Sequence, residues 1–480
     1  MDTKEFRQWA HHFADWMADY YEDIEKFPVK SQVLPGEIGA KLPLFPPAES
    51  EDMENIFIDF REIILPGITH WQSPDFFAYF PANGSFPSIL GEMLTAALGA
   101  QCMIWETSPA AAELEERVMD WLKLMTGLPQ SWSGVIQDTA STSTLAAILS
   151  AREKYSGFGV NNAGFAGYEG LRVYCSTETH SSIEKAVKIA GIGRQNLVKV
   201  QVDDQFRMDV KALRKAITGD LEAGLKPCCV VATLGTTGST SVDPLSEIAG
   251  ICREFNLWLH VDAAYGGTAL LLPEYRWMTE GIERADSIVF NPHKWMFTNF
   301  DCSAYFVKDK ESLIRTFEIL PEYLKTATRG QVNDYRDWGV PLGRRFRALK
   351  LWFVIRSFGV DGLKSRISEH IEMAKWFERQ VIASDGFELL APRIFSVVCF
   401  RYHPLGLSAV EVNHFNQQLL QVINKTGKLY LSHTKLNGNF VLRMSIAQTE
   451  TRQHHVEAAW ESIRTIAANL NPKLHNGEKS

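Results

Sequence analysis

From about Thr107 onward the chain repeats one alternation: a helical segment, then a short apolar run that lacks a two-residue period. The runs are GVIQ (134–137), LRVYC (171–175), LVKVQV (197–202), CCVVATLG (228–235), LWLHVDA (257–263) and SIVFN (287–291). A strand with one wet face alternates apolar and polar residues; runs without alternation must be covered on both faces, as parallel strands joined by crossover helices are. Segments such as SPAAAELEERVMDWLKLM and STLAAILSAREKY supply the covering helices. The pattern predicts an α/β fold with a doubly wound, mostly parallel sheet. With 480 residues, 45% of them hydrophobic, the chain can bury a core of that size.

Two other regions flank this pattern. At the N-terminus, Phe6, Trp9, Phe13, Trp16, Met17, Tyr20 and Ile24 recur at three-and-four spacing, the stripe of an amphipathic helix. The following LPGEIGAKLPLFPPAESEDM is rich in Pro and Gly and should run extended, so the helix is expected to reach more distant parts, another subunit among them. After the helical RFRALKLWFVIRSFG, three further strand-like runs, SVVCFRY, KLYLSHT and NFVLRMSIA, predict a small α+β domain. The expected division is 1–85, a helical and extended dimerisation segment; 86–361, the large α/β domain; and 362–480, the small C-terminal domain.

Charge and cysteine usage narrow the partners. A net charge of -8 without a basic run argues against nucleic acid or an anionic membrane and leaves a small molecule as the expected ligand. The seven cysteines are scattered, odd in number and without metal-ligand spacing, which fits reduced thiols, no metal and a cytoplasmic location. No run is long enough to span a membrane, and MDTKEFRQWAHHFADW is too polar for a signal peptide. The NGS at Asn83 and NKT at Asn424 are therefore read as chance glycosylation matches.

In open α/β sheets ligands collect at the carboxyl ends of the strands. Those ends read Gln137 to Ser141, Thr233 to Thr237, Asp262 to Tyr265, and Asn291 to Lys294. Helix amides after Ser141, with the Thr139 and Ser141 hydroxyls, can hold a phosphate. Neither a Gly-x-Gly-x-x-Gly fingerprint nor a Walker loop is present, which weakens nicotinamide dinucleotides and ATP. A phosphate seat, a lysine in apolar surroundings and a carboxylate on a neighbouring strand point to pyridoxal 5′-phosphate: the amine forms a Schiff base, and the carboxylate keeps the pyridine nitrogen protonated so that the ring can accept electrons.

NPHKW, HVDAAYGG, SPAAAELE, VATLGTT, THSSIEKA and PLGRRFRALKLWF together resemble the group II pyridoxal-phosphate decarboxylases, in particular their aromatic-L-amino-acid decarboxylase branch. The likeness runs over nearly the whole chain. It implies a fold-type I architecture and a homodimer with active sites at the interface. Lys294 is implied as the Schiff-base lysine, Asp262 as partner of the pyridine nitrogen, and His180 as the ring that stacks on the cofactor. Thr139, Ala140 and Ser141, helped by Asn291 and His293, would hold the phosphate, with Ala264 against the ring and Thr237 nearby. Tyr323 falls on the family's closing loop as proton donor. Trp71, Tyr79, Phe80 and Pro81 match the aromatic wall around the substrate, and Met103 matches a position reached from the partner subunit. Taken singly, His180 reads as a satisfied core histidine, Asp262 as a cap and Tyr79-Phe80 as ordinary core; their arrival together, in family order, favours the site.

The implied reaction is decarboxylation of an aromatic L-amino acid to its amine and CO2. Ala82, Gln101 and Met103 depart from the animal enzymes at positions that shape the pocket, so the side chain preferred is left open. An aromatic aldehyde synthase is the alternative; against it, Tyr323 stands where plant synthases carry phenylalanine, and His180 where insect ones carry asparagine. Decarboxylation of an acidic amino acid would need a cationic pocket, whereas Tyr79 to Pro81 is apolar and aromatic. A non-catalytic binding protein would have no need of Asp262.

Overall fold

The computed structural model describes residues 1–319 and 330–470. The chain divides into two compact units: Met1–Pro81 with Lys375–Leu390 and Cys399–Ser480, and Ala82–Ala374 with Ala391–Val398.

The larger unit holds a seven-stranded sheet: β1 (Ser133–Gln137), β2 (Leu171–Ser176), β3 (Leu197–Val200), β4 (Lys226–Thr233), β5 (Trp258–Asp262), β6 (Ser287–Phe290) and β7 (Ser303–Val307), in the order β1-β7-β6-β5-β4-β2-β3. All six of the expected runs form strands. β5 and β6 are buried at every residue and β4 at all but its first, which is why their sequences show no alternation. β3, at the edge, is half-buried and admits Lys199. Strands β6, β5, β4, β2 and β3 run parallel. On the other side β7 lies between β6 and β1, antiparallel to both, and β1 forms the edge. β1 therefore points the same way as β6, and the carboxyl ends of β1, β2, β4, β5 and β6 share one edge. The helix Ala140–Tyr155 leaves that edge and packs across β4, β5 and β6.

The helical stretch Arg347–Ala383 is broken at Gly359, whose φ of 66° and ψ of 168° no residue with a Cβ adopts readily. The break falls at the last residue of the helix read from sequence.

The smaller unit carries β8 (Phe387–Leu389), β9 (Val397–Tyr402), β10 (Ser432–Leu436) and β11 (Asn439–Ser445), in the order β10-β11-β9-β8. β10 and β11 form a hairpin whose two-residue turn, Asn437-Gly438, has positive φ at both positions, the backbone that matches strand twist. β10 starts four residues later than the KLYLSHT run, because Tyr430 instead bridges to Phe76 in a parallel pair. At the N-terminus, Asp2 caps the helix Thr3–Glu22 by accepting from the Glu5 N–H at 2.8 Å. The rings of Trp9, Phe13 and Trp16 meet Phe57, which lies beyond the Pro-rich segment as expected, yet no residue of this helix is buried.

Candidate active site

Five chain segments deliver polar groups to the shared strand edge. β5 ends in Asp262, a buried carboxylate that accepts the Ala264 N–H at 3.0 Å. β6 leads into a single helical turn, Pro292–Trp295, that carries Lys294. The connection after β2 ends in His180, which caps the helix Ser181–Ile189. Its Nδ1 accepts the Ser182 N–H at 3.2 Å and lies 2.8 Å from the Ser182 hydroxyl, so a neutral ring carries its proton on Nε2.

These three groups feel one another. Burial lowers the Lys294 pKa, opposed by the nearby Asp262 carboxylate. Burial also lowers the His180 pKa; Asp262 opposes this, and Lys294 reinforces it. Burial thus favours the neutral forms of the Lys294 amine and the His180 imidazole, with the Asp262 side chain close enough to oppose both shifts. His180 is exposed in the single chain.

The helix Ala140–Tyr155 starts beside them. Thr139 is its N-cap residue, but the Thr139 side chain makes no capping bond. The hydroxyls of Thr139 and Thr142 lie 3.4 Å apart, and Ser141 is exposed on the first turn. A long helix that begins with uncapped amides and hydroxyls is suited to a phosphate group. Ala264 is tied to the same place: its carbonyl accepts the Asn291 N–H at 3.0 Å. Asn291 is buried, with its side-chain carbonyl accepting the Ser303 hydroxyl at 2.7 Å. Thr237 is exposed on the loop that follows β4.

His293 faces its own backbone. Its Nδ1 accepts the Cys302 N–H at 2.9 Å, and burial pushes its pKa down to about 3, helped by Lys294. Asn83, noted in the sequence only as a glycosylation match, is fully buried; its amide donates to the Lys294 carbonyl at 2.6 Å and its N–H to the His293 carbonyl at 3.0 Å. The match at Asn424 is likewise buried, bonded to both backbone groups of Leu431. His260, unremarked in the sequence, is fully buried two residues before Asp262. A histidine among the apolar residues of 257–261 was the available signal.

Trp71, Tyr79, Phe80 and Pro81 belong to the smaller unit, where they gather. Trp71 stacks on Phe76 and Tyr79 at 4.4 and 5.8 Å, and the Arg443 guanidinium lies 5.5 Å from the Phe80 ring centre. Met103 is in the larger unit, partly buried, its carbonyl accepting the Arg336 N–H at 2.8 Å. Tyr323 lies outside the described residues. Among the described residues no cluster of His, Cys, Asp or Glu has the arrangement of a metal site, and no helix is long and apolar enough to cross a membrane.

Known proteins resemble this chain over nearly its whole length. Residues 35–403 match the pyridoxal-dependent decarboxylase conserved domain. Phenylacetaldehyde synthase of Arabidopsis thaliana is 45% identical over 480 residues, 98% of this chain and 97% of that one. Tryptophan decarboxylase 2 of Oryza sativa subsp. japonica is 43% identical over 485 residues, covering 99% and 97%. A crystal structure of Oryza sativa TDC with PLP and tryptamine superposes with a TM-score of 0.95 at 37% identity, covering 98% of this chain and 99% of that one. A lysine, a carboxylate and a bare helix N-terminus lie at one strand edge of a chain of which these relatives cover 98% or more, and the chain belongs to the pyridoxal-dependent decarboxylase family.

Proposed function

We propose that this carboxy-lyase removes the α-carboxyl group of an aromatic L-amino acid, releasing the amine and CO2, as a cytoplasmic homodimer. The observation that carries the reading is the electrostatic coupling of Lys294, Asp262 and His180 beside an uncapped helix start. Bound pyridoxal phosphate supplies an aldehyde for an amine to engage and a ring that takes up the electron pair left at Cα when CO2 departs. Lys294, its pKa lowered by burial, offers the neutral nucleophilic amine. Asp262, oriented by the Ala264 N–H, presents an acceptor to a protonated ring nitrogen. His180 offers a flat neutral face with its free proton on Nε2. Thr139, the amides at Ala140 and Ser141, and the Ser141 hydroxyl hold the phosphate; Asn291 and His293 act behind them by fixing the backbone that carries Lys294. Trp71, Tyr79, Phe80 and Pro81 form an aromatic wall for the side chain.

Tyr323 is proposed as the acid that returns a proton to Cα. The second outcome, oxidative release of aldehyde, CO2, ammonia and hydrogen peroxide from the amino acid, O2 and water, is favoured by the likeness to a phenylacetaldehyde synthase. The phenolic proton decides between them. Purified protein given a panel of aromatic amino acids should yield amine matching CO2, with little oxygen uptake; aldehyde and peroxide from the wild type would select the synthase reading. Tyr323→Phe should divert product to aldehyde and peroxide in air.

The dimer is supported by exposed apolar surface. The helix Phe86–Leu98 exposes Phe86, Leu90, Leu94 and Leu98 along one face, and Leu44 and Phe45 of the Pro-rich segment are 87% and 76% exposed. A second copy would cover such surface and bring Met103 to its partner's pocket. Seven free, buried cysteines fit a reducing compartment.

A further inference from the structure

A deep polar contact lies behind the site, away from any surface the substrate reaches. His260, Thr144 and Ser287 are each fully buried. His260 Nε2 lies 3.1 Å from the Thr144 hydroxyl, and its Nδ1 lies 2.9 Å from the Ser287 hydroxyl. Ser287 Oγ also accepts the Trp258 indole N–H at 3.3 Å. One imidazole thus joins three elements: β5, the helix Ala140–Tyr155 and β6.

Each element presents one of the proposed cofactor contacts. Because side chains on a strand alternate, His260 and Asp262 project from the same face of β5. Thr144 lies one helical turn beyond the first residue of its helix, directly behind the bare amides. Ser287 opens the strand that leads to Lys294. Burial pushes the His260 pKa down to about 4, so the ring is neutral, with one donor and one acceptor; each flanking hydroxyl can fill the complementary role.

An apolar residue would also fill this place, and a buried polar group costs stability unless it is bonded. What bonding adds is direction. Apolar helix-on-sheet packing tolerates small slides along the strand, whereas two hydrogen bonds on one rigid ring fix the helix start relative to Asp262. Pyridoxal phosphate would need that spacing held, because only a short arm would tether its phosphate at the helix start to the ring whose nitrogen would face Asp262.

Resting on the cofactor reading above, we propose that His260 is a positioning residue that holds the phosphate seat of the helix Ala140–Tyr155 in register with Asp262 through Thr144. The test compares pyridoxal phosphate with pyridoxal, which lacks the phosphate, binding to full-length protein stripped of cofactor. Dissociation constants are read from quenching of protein fluorescence, for wild type, His260→Leu and Thr144→Val. Thr144→Val removes one hydroxyl and keeps the shape, so it guards against a His260→Leu protein that folds poorly. The expected result is a preference for pyridoxal phosphate over pyridoxal at least tenfold smaller in Thr144→Val, and in His260→Leu where it folds, with pyridoxal affinity within threefold of wild type. A merely structural role would weaken both ligands in parallel. That result, or an unchanged preference in Thr144→Val, overturns the inference while leaving the cofactor reading standing. Wild-type protein that binds no pyridoxal phosphate overturns both.

Discussion

Lys294 carries its amine on a backbone with little freedom. The Asn83 amide holds its carbonyl, the Lys294 N–H donates to the Asn291 carbonyl at 2.9 Å, and the His293 N–H and Nδ1 both bond to Cys302. Borohydride reduction of the holoenzyme should fix the cofactor on the peptide containing Lys294, and Lys294→Ala should abolish both labelling and turnover; labelling at another lysine would move the site. Asp262→Ala should cut turnover by roughly a hundredfold or more while labelling at Lys294 persists, because a carboxylate aimed at developing charge is lost but the amine is not. His293 makes a prediction about pH. Its ordinary pKa of 6.5 falls to about 3 in the folded chain, so between these values the unfolded state binds more protons and stability drops as pH falls. The group contributes its full share above pH 6.5 and loses about 1.4 kcal/mol per pH unit below that. His293→Gln should therefore show a shallower dependence of the urea midpoint on pH between 6 and 4; an identical slope would mean that His293 is protonated in the folded state. Lys294 and Asp262 could be nominated from their strand ends and His180 from its THSSIEKA motif, and the structure brings the three within electrostatic reach of one another. Asn83 and His260 could not be nominated in this way, because each works through partners more than 100 residues away, Lys294 and Thr144, whose proximity only the fold creates.

At the scale of elements, the positions that matter most are those where backbones approach closely. A Cβ on Gly91 would lie 2.7 Å from the Lys350 Cα, which sets how near the helix Phe86–Leu98 comes to the stretch beginning at Arg347. Lys350 is fully buried there and pairs with Glu92 at 2.9 Å. Gly91→Ala must push these backbones apart and should destabilise the protein by about 1–3 kcal/mol, seen as a lower urea midpoint; an unchanged midpoint would show that the contact can relax. Strand identity was readable from the burial that β4, β5 and β6 share, and the Asn437-Gly438 turn was encoded locally. Strand order was not: the Ser303–Val307 run is as apolar as its neighbours, and nothing in it tells that it enters antiparallel between β1 and β6. Nor did β8 stand out, since three half-buried residues make too short a pattern to recognise.

For the whole molecule, the uncovered surface of the N-terminal helix is the feature with the largest consequence for assembly. Phe6 is 61% exposed and no residue of that helix is buried, although its stripe was plain in the sequence; a stripe shows that a face needs cover without showing what covers it. Deleting residues 1–27 should yield aggregates or dissociated chains in sedimentation, and a fully active monomer lacking them would contradict the proposed dimer. The insertion of β7 bears on a different matter, the order in which the chain is made. Among the described residues β1 has no strand neighbour except β7, so Ser133 waits for Val307, about 170 residues later in synthesis, before it can join the sheet. The helix Ala140–Tyr155 follows directly from β1, so until then its start is tied to the sheet through His260 and Thr144 but not through β1. A ribosome-bound chain halted before β7 emerges would carry Lys294 in sequence yet lack the β1 side of the proposed phosphate seat, so cofactor capture is expected in the last stage of translation or in the released chain.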